Sequence, residues 1–163
     1  MSALRSQALK LLSRREHSRV ELAQKLSRLG TPDEIASLID DLERSGLLSD
    51  ARTAAAYLRG HAARFGDAKL RHTLRTKGIG GEQIDASLTQ AHSSEALESE
   101  EVRAHAVWRR KFGTAPKDAH EWARQARFLQ YRGFSGVVIK KVLKADSGNN
   151  TGNDGGTGSD EDS

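Results

Sequence analysis

Apolar residues recur along this chain at helical spacing, and no stretch alternates as a strand would. Leu4, Ala8, Leu11 and Leu12 share one stripe. Ser18 and Glu21 then make a capping box ahead of Leu22, Leu26 and Leu29. Thr31-Pro32-Asp33-Glu34 joins an N-cap hydroxyl, a first-turn proline and a second capping box ahead of Ile35, Leu38, Ile39 and Leu42. Three helices are predicted here, with Gly30 expected as the left-handed residue closing the second and Ser45-Gly46 ending the third.

The same plan returns twice. Ala54, Tyr57 and Leu58 are followed by a break at Gly66, by Leu70 and Leu74, and after Gly78 by Ile84 and Leu88. Ala104, Val107, Trp108 and Phe112 are followed by a break at Gly113, by Trp122, Ala126 and Leu129, and then by Ile139, Val142 and Leu143. The pattern L-x-x-x-G marks the repeat at Leu26–Gly30, Leu74–Gly78 and Leu129–Gly133, its glycines 48 and 55 residues apart. That period belongs to arrays in which each unit buries its apolar face against its neighbours. The reading is an all-α fold: three tandem three-helix, helix-turn-helix-like repeats at residues 3–48, 49–94 and 95–144, in an elongated curved array. Residues 145–163, acidic and glycine-rich with no large apolar side chain, are expected to be disordered, either as a solubilising appendage or as an acidic strip competing for a basic face.

At 163 residues and 36% apolar side chains, the chain has enough material for a real core. There are no cysteines, which excludes disulfides and thiolate chemistry. No apolar run approaches a membrane span, and the opening MSALRSQALK lacks the apolar core of a signal peptide, so a cytoplasmic protein is expected. The six histidines are scattered, and no phosphate-cradling glycine motif is present; Gly78-Ile79-Gly80-Gly81 lies where one helix turns into the next. No catalytic residue, metal ligand or cofactor is expected, and the chain is not expected to be an enzyme.

Charge supplies the functional signal. The net charge is +4, but the tail holds five of the 22 acids and no base, leaving 26 bases against 17 acids, or +9, in residues 1–144. Between Val102 and Lys144 alone, 11 bases face only Asp118 and Glu121. A surface of one sign attracts an anionic partner, nucleic acid or an acidic protein groove. On a helical projection Arg124, Arg127 and Tyr131 fall opposite Trp122, Ala126 and Leu129, while Lys140, Lys141 and Lys144 fall opposite Val138, Ile139, Val142 and Leu143. These residues, with Arg132, Arg109, Arg110 and Lys111 and a second patch containing Arg71 and Arg75, are the candidate partner- and DNA-binding residues. Arg64, Lys69 and Lys77 extend that second patch.

ALKLLSRREHSRVELAQKL in the first unit, Asp50 and Arg52 with FGDAKLRHTLRTKGI in the second, and RFLQYRGFS in the third occur in this order. Together they make the chain similar to the RecX family over about residues 3–144, with Thr53 standing where the family usually has an aromatic residue. The resemblance implies three tandem three-helix repeats and a non-enzymatic protein acting on the RecA recombinase; separately, a monomer is expected. Such a protein would lie in the groove of the RecA filament on single-stranded DNA and inhibit recombination and ATP hydrolysis. It also implies single-stranded and double-stranded DNA as partners. The alternative is a helix-turn-helix protein that acts by masking DNA.

Overall fold

The expectation of a disordered tail fails at residues 145–148, which continue a helix, and for residues 149–163 it lies outside what the computed structural model describes, residues 2–148. Those residues form helices α1 (Ala3–Leu12), α2 (Arg19–Leu26), α3 (Pro32–Arg44), α4 (Asp50–His61), α5 (Asp67–Thr76), α6 (Gly81–Ser93), α7 (Glu100–Lys111), α8 (Ala119–Tyr131) and α9 (Gly136–Gly148), with no strand among them. Both capping boxes form: Ser18 and Thr31 accept from the amides of Glu21 and Glu34, whose carboxylates accept from the cap amides in return.

Three separate cores result. The first gathers Ala8, Leu22, Leu26, Ile35, Leu38, Ile39, Leu42 and Leu48. The second is built on Leu58, Leu70, Leu74, Ile79, Ile84 and Leu88, and the third on Trp108, Leu129, Phe134, Ile139, Val142 and Leu143. Each is a helix triplet closed on itself, as the repeat predicts.

The leucine–glycine pattern acquires a physical meaning. Gly78 and Gly133 adopt φ of 81° and 89°, and the next amide reaches back to the leucine carbonyl, Ile79 to Leu74 at 3.1 Å and Phe134 to Leu129 at 3.2 Å. This is the Schellman closure, which an apolar residue after the glycine commonly accompanies by packing back on the leucine. Leu42–Gly46 is a further case, with φ of 75° and Leu47 bonded to the Leu42 carbonyl at 2.9 Å. Gly30 departs from expectation. It is not in the left-handed region, α2 stops at Leu26, and Leu29 is 53% exposed. The residue after Gly30 is Thr31, already engaged as the cap of α3, so no apolar side chain is there to complete the closure.

Consecutive units join through equivalent positions. The N-cap of the second helix in one unit meets the C-cap carbonyl of the second helix in the next: Ser18 Oγ donates to Lys77 O, and Gly66 N–H donates to Arg132 O at 2.8 Å. The first residue of the next unit's first helix is acidic and accepts the amide that opens the earlier second helix, Asp50 from Arg19 at 2.8 Å and Glu100 from Asp67 at 3.4 Å. The fourth residue of that helix reaches back to the preceding corner, Thr53 Oγ1 to His17 O at 2.8 Å and Arg103 to Ala62 O and Phe65 O at 3.1 and 2.6 Å. Thr53 is therefore buried and employed at the first junction, where an aromatic side chain could not donate that bond. In the first unit the corresponding positions are Ala3 and Ser6, and Ala3 lacks the acidic group.

The first junction is sensitive to acid. Glu21 accepts from Lys77 Nζ at 3.0 Å, from Arg15 at 3.4 Å and from the Ser18 amide. Burial alone would raise its pKa, but the Ser18 amide and the Lys77 and Arg15 cations outweigh that and hold it at about 2. Burial lowers His17, so the fold also prefers that ring neutral. Both folded pKa values lie below the unfolded ones, so the fold is favoured above them and loses stability as pH falls, His17 first and Glu21 below about pH 5. The Glu21→Gln variant is expected to lose about 2–3 kcal/mol of stability at pH 7 and less than half of that at pH 3. Urea unfolding followed by circular dichroism at both pH values checks this, and an equal loss at both would contradict it.

Candidate functional site

Where the second and third units meet, cations and aromatic rings alternate along one surface. Arg64 Cζ lies 5.6 Å and Lys69 Nζ 4.7 Å from the Phe65 ring, and Lys69 also lies 5.0 Å from Tyr131. Arg132 bridges the units, 5.6 Å from Phe65 and 5.3 Å from Phe128, and its guanidinium donates to Arg64 O at 3.4 Å. Lys111 lies 5.8 Å from Phe128, which meets Phe112 edge-on at 5.4 Å, and Arg124 lies 5.7 Å from Phe112. The ladder runs from the corner before α5, across the junction, to the exposed side of α8.

Its placement follows from local sequence. Phe65 and Lys69 are four residues apart across the start of α5, so they stack on one face; Phe128 and Arg132 do the same at the end of α8. Each cation–ring contact at an exposed site contributes about 0.5–1 kcal/mol, enough to fix side chains without neutralising them. None of the five ladder cations holds an ion pair among the described residues. Elsewhere bases are paired: Arg52 with Glu16, Arg19 with Asp40 and Glu43, Lys77 with Glu21, and Arg103 with Asp67. Tyr131 is 80% exposed even with Lys69 above it, so most of its ring remains open. The surface can hold phosphate or carboxylate groups against fixed cations and offer a ring for stacking.

Of the residues expected from sequence, the structure draws Arg124, Tyr131, Arg132 and Lys111 into this ladder. Arg127, Arg109, Arg110, Lys140, Lys144 and Arg75 are exposed and hold no ion pair among the described residues. Lys141 sits 3.7 Å from Glu101 at the seam of α7 and α9, and Arg71 is paired with Asp85, so both are partly neutralised. Arg64 and Lys69, which sequence grouped with Arg71 and Arg75, belong to the ladder instead. Arg103 is buried at 3% exposure and serves the junction, so one of the bases counted toward the positive unit is structural.

One expected core position on α8 also changes. Trp122 is 37% exposed and Gln125 is buried in its place. The Trp108 indole N–H donates to Gln125 Oε1 at 2.7 Å, and the amide in turn donates to Thr114 O at 3.1 Å. A buried indole needs an acceptor, and that need turns Gln125 inward.

Comparison with known proteins decides the family. Models of the first, second and third three-helix domains of RecX match residues 5–42, 49–88 and 98–143. The chain belongs to the RecX family. Among curated relatives, the regulatory protein RecX of Leptothrix cholodnii is 46% identical over 143 residues, covering 87% of this chain and 88% of that one. RecX of Pseudomonas entomophila is 43% identical over 144 residues, covering 86% and 90%. The crystal structure of RecX from Lactobacillus salivarius, 19% identical, shares the fold with a TM-score of 0.71 over 88% of this chain and 94% of that one. Another crystal structure, of a regulatory protein RecX, is 25% identical with a TM-score of 0.69 over 86% and 71%. As a RecX-family chain this protein has a regulatory role, and no described helix is long and apolar enough to cross a membrane.

Proposed function

We propose that this chain inhibits the RecA recombinase by lying along the groove of the RecA filament on single-stranded DNA. Its three units, residues 3–48, 49–94 and 95–144, would span neighbouring subunits. The observation that carries this is the ladder, a set of fixed, unpaired cations and open ring surface crossing the junction of two units. Contacts that are weak singly become strong when one rigid chain engages several sites together. Holding neighbouring subunits in one arrangement suppresses filament growth and the movements that accompany ATP turnover. The chain acts as a cytoplasmic monomer without a cofactor.

DNA masking is the competing reading, favoured by the exposed Tyr131 among arginines, and salt separates the two. Binding carried by phosphate alone weakens log-linearly and steeply with salt, whereas a filament groove that also contacts protein surface holds on better. Changing Lys69, Arg124 and Arg127 together to alanine is expected to weaken filament binding about tenfold, the sum of three exposed charge contacts. Fluorescence anisotropy on preformed filaments and on bare oligothymidine measures both. Equal affinity for the two, with equal salt slopes, would replace the groove reading with DNA masking.

A further inference from the structure

We infer that the second junction is a charge-inverted copy of the first, open for one external phosphate held by Arg64, Lys69 and Arg132. This rests on the reading of the ladder as the partner surface and names the group that its centre takes. The first junction shows what occupies such a place. Glu16, two residues before the α2 cap Ser18, pairs with Arg52 at 2.9 Å. Glu21, three residues after that cap, accepts from Lys77 Nζ at 3.0 Å and from Arg15 at 3.4 Å. The cations there are satisfied by carboxylates that the chain itself supplies.

Counted from Gly66, the cap of α5, the same two positions hold Arg64 and Lys69. Lys77, the C-cap of α5, has Arg132 as its counterpart at the end of α8. Both acids have become bases, while the C-cap cation that Glu21 served persists. Arg64, Lys69 and Arg132 all lie within 5.6 Å of the Phe65 ring centre, so three positive charges gather about one ring. The nearby acids do not offset them: Asp67 pairs with Arg103, and Glu100 accepts from the amides of Asp67 and Ser135 at 3.4 and 3.2 Å. A base in the first turn of a helix also opposes the helix dipole, so Lys69 lowers local stability where Glu21 adds to it. A local rule broken without compensation is expected where a site takes its missing partner from outside. The ring of Tyr131, 5.0 Å from Lys69 and 80% exposed, selects a phosphodiester with an unpaired base over a bare carboxylate.

Titration of the isotopically labelled full chain with inorganic phosphate, at an ionic strength held constant with chloride, tests this. Saturable shifts are expected at the Lys69 amide and at the Arg64 and Arg132 Nε resonances. Lys69→Glu should abolish them and raise the urea midpoint, because the new carboxylate does for Arg132 what Glu21 does for Lys77. Lys69→Gln should weaken them without that gain. Oligothymidine affinity should fall about tenfold in Lys69→Glu and less in Tyr131→Leu, with octaglutamate bound weakly throughout. Shifts spread evenly over Arg109, Arg110, Lys140 and Lys144 would mean an adventitious ion only. A lowered midpoint in Lys69→Glu would make Lys69 structural, and octaglutamate bound as tightly as oligothymidine would put a carboxylate partner in place of the phosphate; each of these results overturns the inference. Filament inhibition that survives Lys69→Glu while the junction shifts vanish would instead sink the proposed function and leave this site standing.

Discussion

Changing Arg103 to methionine is expected to destabilise the protein by about 3–5 kcal/mol, the usual result of removing one partner from a buried ion pair. Arg103 is 3% exposed, and each of its three guanidinium nitrogens donates a hydrogen bond. Nε bonds Glu98 O at 3.0 Å, Nη1 bonds Ala62 O at 3.1 Å and Phe65 O at 2.6 Å, and Nη2 pairs with Asp67. Methionine fills the volume but strands three carbonyls and a carboxylate, and each buried polar group left without a partner costs about 1–3 kcal/mol. His92, 3.7 Å from Asp67, offsets only part of this. Lysine at this position would recover less than half of the loss, because one ammonium cannot serve carbonyls and carboxylate arranged around a planar fork. Since the Arg103 bond fixes the Phe65 carbonyl, the central ring of the ladder should lose its position and filament inhibition should fall as well. Urea unfolding read through Trp108 and Trp122 tests the stability; a loss below about 1 kcal/mol would show that the guanidinium is dispensable.

The second large effect is expected from Gly66→Ala. Gly66 has an ordinary φ of −77°, so its own backbone does not require glycine. Its neighbour does. A Cβ there would stand 2.2 Å from Gly133 O, 2.3 Å from Gly133 C and 2.4 Å from Phe134 N, all main-chain atoms that cannot rotate aside. The units would have to separate, breaking the Gly66 amide bond to Arg132 O and spreading Phe65 from Arg132, at a cost on the order of 3 kcal/mol. Gly60→Ala, in the last turn of α4 with open space around the new methyl, is the matched control and should stabilise by up to about 0.5 kcal/mol. Helical circular dichroism near wild type, with a lowered unfolding midpoint and weakened inhibition, is the expected outcome for Gly66→Ala. Wild-type stability would mean that the junction is looser than its geometry indicates.

The fold was legible in sequence because its determinants are local. Capping boxes at Ser18 and Thr31, apolar stripes at helical spacing and leucine–glycine closures each act within a few residues; both boxes formed, as did the closures at Gly78 and Gly133. The failures share one cause. Gly30, Leu29 and Trp122 were misplaced because their environments depend on a particular neighbour, Thr31 for the first two and the Trp108–Gln125 pair for the third. The candidate surface was half legible. Exposure of Arg124, Arg127 and Tyr131 follows from helical geometry, but the union of Arg64 and Lys69 with Arg132 requires the junction to be known. Arg103 could have been suspected, since it occupies the fourth position of α7 as Thr53 does in α4, after an acidic first residue in each. Charge counting alone sees it as one more surface base.

The most direct measurement is the DNA-dependent ATPase rate of RecA on preformed filaments, with single-stranded DNA in excess, as the chain is titrated in. Inhibition well below one chain per RecA subunit, weakened in parallel by Lys69, Arg124 and Arg127 to alanine and by Gly66→Ala, is the predicted result. Inhibition that begins only once the DNA itself is saturated, or that is untouched by these substitutions in folded protein, would contradict a ladder that grips the filament.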